Sequence, residues 1–296
     1  MLNLLLIGYG KMGCIHAKSI IGSRSAKLCG IVDPNLDKEL EYIDNVKIYN
    51  DLADVELDKK IDGAVVSSTT HSHYSIAQKL LDYKIPILIE KPLSTKLEEV
   101  NYITTECLKK NIVLQVGFVE IYNPVVDYLT NEKIKNIKKV EIFRFSEPVD
   151  ESRNLENVLY DLAIHDISVF EYLFKLSNIN ILNSKTEIHN NKISKATINF
   201  LSNNINVILK VSNRAKSKKR MWKITTDDSL YEINFLKKNI LIHNKKNNSQ
   251  LIEFQEGISS IDSQLNSFVK KIENTVIDRE HLKNINKTHE FISLIN

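Results

Sequence analysis

Along the first 118 residues, short apolar runs alternate with stretches of helical spacing. Residues 2–7 form an unbroken apolar run, as expected of a strand buried on both faces of a parallel sheet. Residues 11–21 have helical spacing, 27–33 read as a second strand closed by Pro34, 47–49 as a short third and 61–67 as a fourth. Residues 72–83 are amphipathic, with Ile76, Ala77, Leu80 and Leu81 on one face. A strand at 85–89, a long helix at 95–110 and a strand at 112–116 ending on Gly117 complete the series. Strands separated by helices need crossover connections, so the pattern predicts an α/β fold with a doubly wound parallel sheet.

After Gly117 the rhythm changes. Asn123-Pro124 opens one helix and residues 158–176 read as another, while 179–254 carry strand signals with no helix between them. That is the pattern of a largely antiparallel sheet. Ile205, Val207, Leu209 and Val211 alternate with Asn206, Ile208, Lys210 and Ser212, giving one apolar and one mixed face, the latter compatible with a subunit contact. Helical segments at 261–275 and 281–295 close the chain. Two domains are expected: a nucleotide-binding domain over 1–118 and an α+β domain over 119–296 for substrate and oligomer contacts.

Composition narrows the classes. The 296 residues are 43% hydrophobic and 26% charged, enough to bury a core without disulfide staples. With 40 basic and 37 acidic residues, the charge is too balanced for a protein that coats nucleic acid or binds a membrane surface. Cys14, Cys29 and Cys107 share no metal-type spacing, and an odd count suits a reducing compartment. The apolar start lacks a basic segment and a cleavage site, and no apolar run approaches the ~20 residues of a membrane span. A cytoplasmic protein is expected. The basic run 214–220 lacks interleaved aromatics and reads as a solvated hairpin loop.

Chemistry enters at the first strand's end. Gly8-Tyr9-Gly10-Lys11-Met12-Gly13 is a G-x-G-x-x-G that opens a helix. Gly8 permits the tight turn, Gly10 lets the backbone approach a pyrophosphate, and Gly13 allows close helix–strand packing. The helix N-terminus offers unpaired N–H groups to phosphates. Asp33 ends the second strand about 20 residues on, where a carboxylate accepts from a ribose 2′-OH and repels a 2′-phosphate. The expected domain is therefore of the Rossmann type and the expected cofactor NAD; NADP requires a nearby Arg or Lys to hold its extra phosphate.

Further motifs fall at the carboxyl edge of the same sheet. Ser68, Thr69, His71 and His73 follow the fourth strand, Glu90-Lys91-Pro92 the next, and GFVEIYNP (117–124) the sixth. Asp161-Leu-Ala-Ile-His165-Asp166 lies on the first long helix of the second half. Together with Gly8–Gly13 and His16, these residues resemble the glucose–fructose oxidoreductase/inositol dehydrogenase (Gfo/Idh/MocA) family. The resemblance implies an NAD(P)-dependent dehydrogenase acting on a sugar, cyclitol or nucleotide-sugar hydroxyl, and a homodimer or homotetramer. It implies Lys91, Asp161 and His165 as the catalytic trio, and puts Ser68, Thr69, His73, Glu90 and Lys91 with Tyr9, Lys11 and Met12 at the cofactor.

The chemistry agrees. Hydride loss from a secondary alcohol requires loss of the hydroxyl proton, which an imidazole takes near neutral pH while an ammonium steadies the developing alkoxide. Asp161 and His165, four apart on a helix, share a face. His165 is assigned as acid/base, Lys91 as polariser and proton relay, and Asp161 as substrate orienter. The division of labour between Lys91 and His165 is open at this point. No metal is expected: His71/His73 and Asp161/His165/Asp166 lack a further ligand.

GFVEIYNP and YDLAIHDIS are most similar to family members that oxidise C3 of UDP-N-acetylglucosamine or its uronic acid. The departures are Ile121 for Arg, Ser168 for Asp and Asn157 for Gly. Glu120, Tyr122 and Asn123 are candidate substrate contacts. Arg144 and Arg153 are either bidentate partners for a diphosphate or carboxylate, or surface arginines. A free-sugar or cyclitol dehydrogenase and a cofactor-binding regulator without turnover are the alternatives.

Overall fold

The computed structural model describes residues 1–36, 46–57, 60–148, 156–245, 248–255 and 257–295. The chain forms two compact units, one of residues 1–117 with 261–286, the other of residues 118–260 with 287–296.

The first unit begins β1 (Leu2–Ile7), α1 (Lys11–Ile21), β2 (Ala26–Val32), β3 (Lys47–Tyr49) and β4 (Gly63–Val66). It continues α2 (Thr70–Asp82), β5 (Ile87–Ile89), α3 (Leu97–Lys110) and β6 (Leu114–Val116). The six strands lie in the order β3-β2-β1-β4-β5-β6, every pair parallel. Leu4, Leu5 and Leu6 are each at most 1% exposed, which is why β1 reads as an unbroken apolar run. The strand order reverses between β1 and β4. A doubly wound sheet opens its crevice there, at the carboxyl ends of the strands.

The second unit contains α4 (Pro124–Glu132), β7 (Ile137–Phe145), a π-helical turn (Leu159–Ala163) and α5 (Ile164–Phe174). Then follow β8 (Asn180–His189), β9 (Lys192–Ser202), β10 (Ile205–Ser212), β11 (Lys219–Thr226), β12 (Ser229–Asn234), β13 (Asn239–Asn244) and β14 (Ser249–Glu253). The eight-stranded sheet runs β14-β13-β12-β11-β7-β10-β9-β8 and is antiparallel except for the β7–β10 pair. Its buried face carries Val207, Leu209 and Val211 against an aromatic cluster in which Trp222 meets Phe235 at 5.6 Å and Phe200 meets Phe291 at 4.6 Å between ring centroids.

Three features differ from the sequence expectation. The interior strand β7 has no counterpart in the sequence reading. Its inward positions, Val140, Ile142 and Arg144, include a cation, and Phe143 stands among the outward ones, so the alternation is masked. The basic run is not a hairpin loop: β10 and β11 lie on opposite sides of β7, and Lys219 and Arg220 are in β11 itself.

The closing helices, α6 (Ser260–Glu273) and α7 (Arg279–Ser293), do not fall wholly in the second unit. Leu265, Phe268 and Val269 of α6 join Leu4, Leu6, Ala17 and Val65 in one cluster. Burying each such side chain is worth roughly 1.5–3 kcal/mol. Gln115 Nε2 donates to the Gln264 carbonyl at 2.8 Å, and the Val116 N–H donates to His281 Nε2 at 3.0 Å. An amphipathic helix shows in sequence that it needs a partner, but not which sheet supplies it.

Candidate functional site

The glycine turn follows directly from β1. Gly8 has φ +91°, and a Cβ there would stand 2.5 Å from the Ser68 nitrogen. A Cβ on Gly13 would meet the Gly8 carbonyl oxygen at 2.2 Å. Packing therefore demands glycine at both positions. At Gly10 a Cβ would meet nothing within 4 Å. The space beside Gly10 belongs to no other part of the protein, and Gly10 caps α1 without any side-chain hydrogen bond, so the first-turn N–H groups face it unclaimed by a cap.

Asp33, just past β2, spans the turn. Its Oδ2 accepts from the Tyr9 N–H at 2.6 Å and its Oδ1 from the Asn35 N–H at 2.9 Å. Each oxygen keeps a lone pair for an incoming hydroxyl. The Ser67 hydroxyl donates to the Gly8 carbonyl at 2.8 Å, tying the β4 end to the turn.

A cavity of about 790 Å³ opens here, lined by Gly8, Gly10, Asp33, Ser68 and Thr69. These sequence-predicted residues thus share one cavity. Ile76 of the amphipathic helix α2 lines it too, as do Asn50, Asp51, Leu52 and Lys79, which carry no motif of their own in the sequence. Tyr9 packs against the core cluster, Lys11 is exposed and Met12 half-buried at the start of α1.

Beneath the next strand ends, polar side chains interlock. Glu90 Oε1 lies 2.7 Å from His16 Nε2, with the side chains 11% and 2% exposed. A Cβ on Gly117 would come within 2.7 Å of Glu90 Oε2, so glycine is required beside this carboxylate. The Lys91 N–H donates to Glu90 Oε2 at 3.3 Å, and Lys91 itself is half-buried. His73 is buried, with Nδ1 2.8 Å from the Pro92 carbonyl and Nε2 3.1 Å from the Ser68 carbonyl. Burial lowers its pKa despite the two carbonyls. Its ring joins the turn after β4 to the turn after β5.

In the second unit, Asp161 lies in the π-helical turn and His165 in the first turn of α5; both are half-buried. Single π turns inside α-helices recur at functional sites. Asn157, the departure from glycine, starts this turn: its Oδ1 accepts from the Leu159 N–H at 2.8 Å, and its carbonyl from the Asp161 N–H at 3.0 Å. Ser168, another departure, donates to the His165 carbonyl at 2.8 Å.

Glu120, Asn123 and Arg144 also come together, but in the interior. Arg144 is 1% exposed; its Nε donates to Asp166 and its Nη2 to Glu120 Oε2 at 2.6 Å. Asn123 donates to Glu120 Oε1 at 3.0 Å and Trp222 Nε1 to Asp166 Oδ1 at 2.8 Å. Burial works against an ionised Glu120, but the Arg144 and Arg220 guanidiniums outweigh it and hold its pKa below the ordinary value. Arg144 is thus part of a buried ionic cluster and is no surface arginine. Tyr122 and Ile121 are half-buried in the short helical turn Val119–Tyr122, and Arg153 lies outside the described residues.

Among the described residues, no group of three His, Cys, Asp or Glu side chains could hold a metal, and no helix is long and apolar enough to cross a membrane. The turn, the open space at Gly10 and the carboxylate at the β2 end fit a dinucleotide, and together with the parallel sheet they define a dinucleotide-binding domain.

Residues 2–118 match the GFO_IDH_MocA model, that of an oxidoreductase family with an NAD-binding Rossmann fold. The chain is 22% identical to a UDP-N-acetylglucosamine 3-dehydrogenase of Acidithiobacillus ferrooxidans over 81% of its own length and 76% of that protein's. It is 27% identical to a myo-inositol 2-dehydrogenase of Thermotoga maritima over 57% of its length and 53% of that protein's. Its fold is similar to the solved A. ferrooxidans enzyme (TM-score 0.87, 18% identity, covering 99% and 96% of the two chains). It is also similar to an Agrobacterium radiobacter oxidoreductase solved with NAD+, L-tartaric acid and magnesium (TM-score 0.84, 15% identity, 99% and 94%).

Proposed function

We propose that this protein is an NAD-dependent dehydrogenase that transfers hydride between nicotinamide and a sugar hydroxyl, C3 of a nucleotide sugar such as UDP-N-acetylglucosamine. The observation that carries the redox reading is the cavity shared by Gly8, Gly10 and Asp33, with open space where a pyrophosphate would approach the backbone. Bound NAD supplies the hydride chemistry. The first-turn N–H groups of α1 hold the phosphates, the Asp33 carboxylate accepts from a ribose hydroxyl and disfavours a 2′-phosphate, and the Ser68 and Thr69 turn closes the same cavity.

Lys91, Asp161 and His165 carry the sugar chemistry in this reading. His165 takes the hydroxyl proton, the Lys91 ammonium steadies the developing alkoxide, and Asp161 orients the sugar from the same helix face as His165. The Glu90–His16 contact fixes the backbone that leads into Lys91. The nucleotide-sugar assignment draws on the likeness to the A. ferrooxidans enzyme, which takes in 81% of this chain. The higher identity to the T. maritima inositol enzyme favours a cyclitol substrate as the second reading. The protein acts in the cytoplasm as a homodimer or homotetramer, using the open sheet face on which Lys219 Nζ lies 4.6 Å from the Phe143 ring centroid.

The test is NADH absorbance on mixing the purified protein with NAD and UDP-N-acetylglucosamine, myo-inositol or free sugars. Turnover of the nucleotide sugar, lost in His165→Asn, is the expected result. Turnover of inositol alone selects the second reading. NAD binding with no turnover of any sugar identifies a regulator instead.

A further inference from the structure

In the buried cluster of the second unit, arginine donors outnumber the places that receive them. Arg144 on β7 and Arg220 on β11 are register partners and converge on one carboxylate oxygen, Glu120 Oε2. Arg144 holds that oxygen at 2.6 Å from a position 1% exposed. Arg220 reaches it only at 3.4 Å, beyond the usual N–H···O range, with its side chain 32% exposed. That is its one ion pair among the described residues. The second carboxylate of the cluster, Asp166, is occupied by Arg144 and by Trp222 Nε1. Arg144 Nη1, fully buried, has no hydrogen-bond partner among the described residues. Every carboxylate oxygen of the cluster already accepts a hydrogen bond, while the partly exposed Arg220 side chain is held there, among the described residues, only by its 3.4 Å contact.

Burial and the neighbouring Arg144 charge lower the Arg220 pKa, so the second cation stands where an added anion relieves it. The charge of Asp161, the residue assigned to orient the sugar, acts on Arg220 as well. A half-buried, loosely held guanidinium at such a point matches planar anionic oxygens bidentately.

We propose that Arg220 reads an anionic oxygen group on the substrate, the carboxylate of a uronic acid or a phosphate of the nucleotide. The proposal rests on the sugar-dehydrogenase reading above and deepens it from a sugar hydroxyl to an acidic sugar. Arg144 does not take this role because its donors are turned inward. Glu120 presets Arg220 by holding one edge of its fork.

The experiment uses the full chain with NAD. NADH formation is followed with UDP-N-acetylglucosamine, its uronic acid, and free N-acetylglucosamine, for wild type, Arg220→Lys and Arg220→Met. Arg220→Met should cut the preference for the anion-bearing over the neutral sugar by about tenfold, with the loss falling on KM more than on kcat, and Arg220→Lys should restore part of it. A loss confined to the uronic acid assigns the carboxylate; a loss shared by both nucleotide sugars assigns the phosphates. An unchanged preference overturns the proposal. Should no sugar turn over, titration calorimetry of the NAD-loaded protein with UDP and with glucuronate decides instead. Binding of either one, weakened about tenfold in Arg220→Met, sustains it; equal binding by wild type and variant, or none by wild type, overturns it.

Discussion

The Asp33 carboxylate accepts the Tyr9 backbone N–H at 2.6 Å, so one side chain both braces the glycine turn and faces the nucleotide cavity. Replacing it with alanine removes the brace and the ribose acceptor together, and removes the charge that repels a 2′-phosphate. Asp33→Ala should weaken NAD binding by tenfold or more, about 1.4 kcal/mol upward, and narrow the gap between NAD and NADP. Fluorescence titration of both dinucleotides measures each. Equal weakening for both would leave Asp33 with only the bracing role.

The glycines of the turn separate folding from binding. Alanine at Gly13 brings a Cβ against the Gly8 carbonyl oxygen at 2.2 Å, a backbone clash that no rotamer relieves. Gly13→Ala should destabilise the protein by about 1–3 kcal/mol or more. Alanine at Gly10, whose φ is −72°, meets no atom within 4 Å. Gly10→Ala should cost less than about 1 kcal/mol of stability yet weaken NAD binding, because the methyl occupies space the pyrophosphate needs. Urea denaturation alongside NAD titration distinguishes the two variants.

What the sequence made legible divides along the same line. A strand buried on both faces, a glycine turn and a carboxylate at the next strand end are local patterns, and the first sheet with its cavity follows from them. Asn50 and Leu52 line that cavity because β3 pairs beside β2, and Lys79 because β4, which leads into α2, pairs beside β1; no spacing encodes either pairing. An isolated arginine in sequence carries no sign of burial, so from sequence alone Arg144 is either a ligand-binding or a surface residue. Glu120 and Asp166, which bury it, lie 24 and 22 positions away. The helix pair at the end of the chain was legible as amphipathic, but its pairing with the first unit depends on long-range contacts such as Gln115 with Gln264.

The Arg144 cluster predicts a second contrast. Glu120→Gln leaves the wholly buried Arg144 with one carboxylate fewer, the kind of uncompensated charge that costs about 3–5 kcal/mol. Arg220→Met removes only a 3.4 Å contact from a side chain 32% exposed, and should cost less than about 1 kcal/mol. Urea midpoints at constant slope measure both. A Glu120→Gln protein as stable as wild type would mean that Asp166 alone neutralises Arg144.

His281 predicts the acid limb of stability. Its Nε2 accepts the Val116 N–H at 3.0 Å, a bond only the neutral ring can make, and burial together with the nearby Lys271 ammonium lowers its pKa to about 3. The unfolded chain protonates this ring near pH 6.5, the folded chain does not until about pH 3, and across that window the unfolded state holds the extra proton. Stability contributed by His281 is therefore complete above pH 6.5 and falls by up to about 1.4 kcal/mol per pH unit as the pH drops toward 3. Asp278 adds a loss at the lower end: burial opposes its ionisation, but the His281 N–H and Lys271, 3.0 Å away, outweigh it and hold its pKa below the ordinary value. His281→Gln keeps a hydrogen-bond acceptor for Val116 without a titrating ring. In this variant the slope of stability against pH between 6.5 and 4 should shrink by close to one proton's worth, measured by urea unfolding at half-unit intervals. An unchanged slope would show that the ring is already charged in the folded protein or exposed to solvent.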